Sequence, residues 1–301
     1  MSREQREERR RRERARMQRQ RRFVVAGCLL VFVLLVAAGA NPSAAHRRLA
    51  VAPSFVPPQY LDPLLRPEAR RATAAEQYRL AVERFLQLGY PVYCGGGTKR
   101  LVALTLDDGP GPWSGKLVRI LTRRHARATF FLVGRQILDF PRAPALERQV
   151  GVLGNHTWSH PYFSAMKRSA IKVEVQNGGW ALNRLASVPV SLFRPPYGEH
   201  SPAVDTIVRD AGLLQVMWSV DARDYVDRTW PQVGANIVSA MRPGSIVLMH
   251  ELHSYTVEAL RRRVLPAMRR RHLWPVTVPE LLAEDPPSLA QLRTGVRGCR
   301  R

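Results

Sequence analysis

Leu101-Val102-Ala103-Leu104-Thr105-Leu106-Asp107-Asp108-Gly109-Pro110 is the stretch on which the fold turns. Residues 101–106 are apolar apart from one threonine, and they stop at two adjacent carboxylates followed by Gly-Pro. A continuous apolar run, unlike an alternating one, reads as a strand buried on both faces, as in a parallel sheet covered by helices. The same grammar repeats downstream. Helical segments are predicted over 116–126, 145–150, 171–186, 203–211, 231–241 and 256–271, with 279–283 last. Between them, strands are predicted over 128–133, 152–153, 190–193, 214–220 and 245–249, with Val276 opening a final short one. About seven such βα units make closure into a barrel more economical than an open sheet. No internal repeat is visible.

Reactive side chains recur where the strands end. Asp107 and Asp108, His156, Arg194, Asp221 and Asp224, and His250 each follow the C-terminal end of a predicted strand, the face on which parallel barrels assemble their sites. His156 and His160, in His156-Thr157-Trp158-Ser159-His160, are four apart, and on a helix both rings would project from one face. Two imidazoles and one carboxylate can hold a divalent ion with a position open for water, and the spare carboxylate can take a proton from that water. Each motif alone has a plainer reading. Asp-Gly-Pro suits a turn, two histidines four apart are mostly structural, and Arg194-Pro195-Pro196 is a stiff loop. It is their combination that points to a hydrolase.

These motifs resemble, in order, those of the polysaccharide deacetylases, the NodB-like domain of carbohydrate esterase family 4, over about residues 92–284. The resemblance implies a deformed (β/α) barrel and a metal-dependent hydrolase of N-acetylated sugars. In Thr105–Pro110 it makes Asp107 the general base and Asp108 a metal ligand; Leu106 stands where the family has phenylalanine. His156 and His160 complete the metal set, for zinc, or cobalt or nickel. Arg194 would orient Asp107 and keep it charged, and the backbone N–H of Tyr197 would meet the oxyanion. In Asp221-Ala222-Arg223-Asp224-Tyr225 the family's tryptophan is replaced by Tyr225, a groove residue; Asp224 would raise the pKa of an imidazole and Asp221 would be structural. In Leu248-Met249-His250, His250 would be the general acid and Leu248 would border the acetyl methyl. His46, His125, His200, His253 and His272 read as surface residues.

The charge of +23 on 301 residues is almost all arginine, since lysine occurs four times. Residues 1–22 hold eleven Arg against four Glu, a net +7, which leaves +16 on the remainder. That balance suits anionic surroundings such as lipid headgroups or acidic wall polymers. No nucleic-acid recognition motif accompanies it. Residues 23–40 are uncharged and as a helix would reach about 27 Å, enough for a hydrocarbon core. The arginines before them predict a cytoplasmic N-terminus and an extracytoplasmic catalytic domain. The alternative is a cleaved signal peptide, for which Ala38-Gly39-Ala40 offers a site.

The expected order is therefore a basic segment (1–22), a signal anchor (23–40), a spacer with one helix (41–97), a catalytic domain (98–284) and a tail (285–301). Six prolines over 41–70 suit an extended spacer. The helix expected over 73–88 presents Ala75, Tyr78, Ala81, Phe85 and Leu88 on one face. Cys94 and Cys299 bracket the folded domain, and in an oxidising compartment a bridge would tie the tail to the start of the first strand. Two free thiols are the alternative. Three functions remain open: deacetylation of peptidoglycan, deacetylation of chitin oligomers, xylan or an exopolysaccharide, and glycan binding without catalysis. The intact set of reactive residues argues against the third.

Overall fold

Strand β1 (Leu101–Gly109) pairs with three other strands, and its alternation divides the core around it in two. Val102, Leu104 and Leu106 pack outward with Leu117 and Leu121 of the helix Ser114–Arg123. Ala103 faces the other way, into a cluster with Phe131, Leu192, Val216 and Ile246. Each fully buried Leu or Phe here contributes about 1.5–3 kcal/mol. The computed structural model describes residues 73–187 and 189–300. The expected basic segment, apolar span and most of the spacer lie outside the described residues. Among the described residues no helix is long and apolar enough to cross a membrane.

Around β1 run β2 (Ala128–Leu132), β3 (Gly151–Asn155), β4 (Leu192–Phe193), β5 (Leu214–Gln215), β6 (Val220–Asp221), β7 (Ile246–His250) and β8 (Trp274–Val276). All pair in parallel, in the order β5-β4-β3-β2-β1-β7-β6. β8 pairs with the first residues of β1, Leu101–Ala103. The path curls into a deformed (β/α) barrel, as the sequence led us to expect.

Its deformation has a specific place. The single strand expected over 214–220 is two: β5 and β6, chain neighbours that close opposite ends of the sheet and do not pair. Between them Val216 bridges Val92, and the carbonyls of Val216 and Met217 accept hydrogen bonds from Arg194 (3.0 and 2.9 Å). The fully buried arginine thus satisfies backbone groups that a regular strand would have paired.

The helix Ala74–Leu88 starts at Thr73, whose side chain accepts from the Glu76 N–H, and ends at Gly89 with φ 73°. It buries Val82 and Phe85, whereas Ala75, expected on that face, is exposed. Together with Val278, Leu281 and Leu282 of the helix Val278–Glu284, it packs against the N-terminal half of β1. The last residues also fold: the helix Leu289–Thr294 has a Ser288/Gln291 capping box and buries Leu292. Cys299 beyond it is disulfide-bonded to Cys94.

Candidate active site

Adjacent residues of a regular strand point to opposite faces of a sheet. Asp107 and Asp108 escape this because β1 bulges between them. Asp107 pairs with Phe131 and Gly109 with Leu132, which leaves Asp108 unpaired at φ 70°. Both carboxylates then reach one imidazole: His156 Nε2 lies 3.8 Å from Asp107 and 3.5 Å from Asp108. Gly109 is needed beside them, since a Cβ there would meet the Glu251 carboxyl carbon at 2.3 Å.

His156 and His160 are not on a helix, as the spacing had suggested. They occupy an irregular turn after β3, with Thr157 and His160 in left-handed backbone (φ 68° and 60°). The turn is held from outside. Asn155 accepts from the Thr157 N–H (2.8 Å) and donates to the Val175 carbonyl (2.8 Å). Glu174 accepts from the backbone of Trp158 and Ser159 and from the Ser159 hydroxyl (3.1, 2.8 and 2.8 Å). Gly178 lets the helix Arg168–Leu185 come this close, since a Cβ there would stand 2.2 Å from Asn155 Oδ1. The two rings converge all the same, now through the turn's own geometry.

His156 Nδ1–H donates to the Arg194 carbonyl (2.7 Å), so in the neutral ring Nε2 presents a lone pair. Burial holds the His160 pKa down to about 4, and its Nε2 lies 3.2 Å from Asp108 Oδ1. That carboxylate oxygen is itself buried and has no hydrogen-bond partner. Burial opposes the Asp108 charge, but the nearby imidazoles, His156 foremost, outweigh it and hold its pKa well below the usual range. The donor atoms of Asp108, His156 and His160 all lie within 4.8 Å of one another. An anionic oxygen and two nitrogen lone pairs facing one point repel unless a cation lies among them, so the donor set fits a divalent metal.

Asp107 is committed elsewhere. Its Oδ1 accepts from Arg194 Nη1 at 2.8 Å, and the same nitrogen donates to Thr105 Oγ1 at 2.7 Å. The guanidinium lies 4.3 Å from the Phe131 ring centre, so it is fixed on every side.

His250 pairs with Asp107 across the β1–β7 ladder, and Leu248 with Thr105. Residues two apart on a strand share a face, so the buried Leu248 lies beneath His250 on the side of the site. Asp224 is fully buried, with Oδ1 at 2.6 Å from His250 Nδ1 and Oδ2 accepting from the His250 N–H and the Thr256 hydroxyl. Burial disfavours the imidazolium, yet the Asp224 hydrogen bond and charge lift His250 to about 9. Asp221 accepts from the Arg223 N–H and the Tyr225 hydroxyl and so closes the turn. Tyr225 is exposed and stands edge-on to His250 at 5.9 Å. Tyr197 sits at φ 57° in the turn Pro196–Gly198, its ring 4.6 Å from that of His160.

Sequence reasoning missed some contributors. Glu174 and Tyr162 carry no local motif. His253, read as a surface residue, is half-buried with its ring 6.5 Å from that of His250. Glu251 is fully buried and accepts from the Ser114 hydroxyl (2.6 Å). Burial pushes Glu251 up to about 7 and raises the neighbouring Glu147 as well.

The polysaccharide deacetylase family matches residues 95–216. A peptidoglycan-N-acetylglucosamine deacetylase of Bacillus cereus is 32% identical over 204 residues, which cover 64% of this chain and 93% of that one. The chain belongs to the polysaccharide deacetylase family. It is a hydrolase acting on N-acetyl groups. A chitooligosaccharide deacetylase of Sinorhizobium fredii is 33% identical, covering 56% of this deacetylase and 86% of its own length. The fold is also shared by a family 4 carbohydrate esterase pseudoenzyme from Bacillus anthracis (TM-score 0.60, 27% identity, 66% of this chain and 70% of that one). Activity therefore has to be argued from side chains rather than from the barrel.

Proposed function

We propose that this deacetylase removes N-acetyl groups from the amino sugars of peptidoglycan in a metal-dependent hydrolysis that releases acetate. The observation that carries the metal-dependent reading is Asp108 Oδ1, buried and unpartnered between two imidazoles. Asp108, His156 and His160 would hold the ion, zinc by donor type, with cobalt or nickel also accommodated. When bound, such an ion polarises a carbonyl and acidifies water.

The chain's own residues do the rest. Asp107, aimed by Arg194, takes a proton from the water as its oxygen bonds to the acetamide carbon. The Tyr197 N–H donates to the oxyanion that develops there. Leu248 lies where the acetyl methyl needs an apolar neighbour. His250, protonated, gives its proton to the departing nitrogen as the carbon–nitrogen bond breaks. Acetate and a free amine leave.

Peptidoglycan is favoured by the Bacillus cereus relative and by the basic composition. The uncharged span 23–40 behind an arginine block favours a membrane anchor that places the enzyme outside, facing its polymer. The Sinorhizobium fredii relative favours a second reading, acetylated chitin oligomers. Acetate release from peptidoglycan and from chitin oligomers, before and after chelation and with metal restored, tests both. Release that is indifferent to chelation would remove the metal, and silence on every glycan despite bound metal would leave a binding protein.

A further inference from the structure

Tyr162 leaves the histidine turn two residues after His160. Its ring lies face to face with that of Tyr197, the centroids 3.7 Å apart and the planes within 6° of parallel. Tyr197 meets His160 at 4.6 Å with the planes 63° apart. Three rings therefore form a continuous aromatic column that runs outward from a metal-binding histidine. Tyr162 is 55% exposed and Tyr197 50%, so the stack stands in solvent rather than in the core. The stacking covers one face of Tyr162, and the residue still has more than half of its surface open to solvent. Two residues on in the chain, Ser164 fixes the Glu199 carboxylate, donating to it from its N–H and its hydroxyl at 2.9 Å each.

A pyranose ring presents an apolar face of C–H groups bordered by hydroxyls. It complements a flat exposed aromatic face with acceptors at its edge, which offers contact area at little entropic cost. We propose that the exposed ring of Tyr162 is a stacking platform for a sugar flanking the one that is deacetylated, so that the substrate is an oligomer or polymer engaged beyond its reacting unit. The column supplies the rigidity: Tyr197 backs Tyr162, and the two prolines before Tyr197 restrict its loop. The inference rests on the deacetylase reading for the identity of the reacting unit, while the platform itself rests on the stacked rings.

The test uses the full chain with a hexamer of N-acetylglucosamine as probe. Tyr162→Ala should lower kcat/KM about tenfold through KM, and weaken hexamer binding to the metal-free protein by a similar factor in calorimetry. Tyr162→Phe, which keeps the ring, should restore both. Unchanged KM and binding in Tyr162→Ala, or a loss that appears in kcat alone, would overturn the platform. A wild-type protein that releases no acetate yet binds the hexamer in a Tyr162-dependent way would refute the deacetylase reading and leave the platform standing.

Discussion

Asp107 and Asp108 are chain neighbours of the same type, and their surroundings give them different work. Asp107 is tied to a fully buried guanidinium, while Asp108 faces two imidazoles with a bare oxygen. Asp107→Asn should therefore lower the acetate release rate about 10²–10⁴-fold and leave bound metal unchanged, as read by turnover and by metal stoichiometry on the same sample. Metal loss in that variant would make Asp107 a ligand. His250 gives a second prediction. Its pKa, about 9, exceeds that of a free histidine because of Asp224, so the protonated acid is present below that pH and is lost as pH rises through it. Removing the charge with Asp224→Asn should lower the His250 pKa in an NMR titration of the metal-free protein. The alkaline limb of kcat/KM should move to lower pH with it. An unmoved pKa would deny Asp224 its role. These identities were legible in the sequence because the chemistry demands particular residue types at strand ends.

At the scale of elements, less could be read in advance. The two aspartates converge only because of the bulge at Asp108, and nothing in the apolar run announces where a strand will slip. The two histidines converge without the helix that their spacing suggested, in a turn tied down by Glu174 from the helix Arg168–Leu185. That tie joins segments about fifteen residues apart through a lone acid, and local pattern cannot show it. Glu174→Ala should free the turn and weaken metal affinity about 10–100-fold, measured by competition with a chelator, as losses of outer supports do. Unchanged affinity would mean that Asn155 suffices. Likewise 214–220 reads as one strand because its apolar run is unbroken. The structure interrupts it, since Arg194 claims the carbonyls of Val216 and Met217.

The described residues form a barrel with one open seam, β5 and β6 lying at opposite ends of the sheet, and the segment after the last strand is tied back to the start of β1. The Cys94–Cys299 bridge spans a sequence separation of 205 residues. Asp285 reinforces it by accepting from the N–H groups of Gly97, Thr98 and Lys99 and from the Thr98 hydroxyl. Bracketing cysteines suggested the first tie. The second was hidden because Asp285 follows the last helix expected from the sequence and so looks like tail. Cys299→Ser should reduce stability by about 2–5 kcal/mol, seen as a lower Tm in the oxidised protein only. An equal Tm for both proteins would make the bridge incidental. Above all these stands the convergence of Asp108, His156 and His160 on one point, with Asp107 beside them and held by Arg194. Anomalous diffraction from zinc-loaded crystals tests it most directly. One ion bound by those three side chains is expected, with Asp107 still bonded to Arg194. An ion gripped by both aspartates, or lodged away from the two histidines, would contradict it.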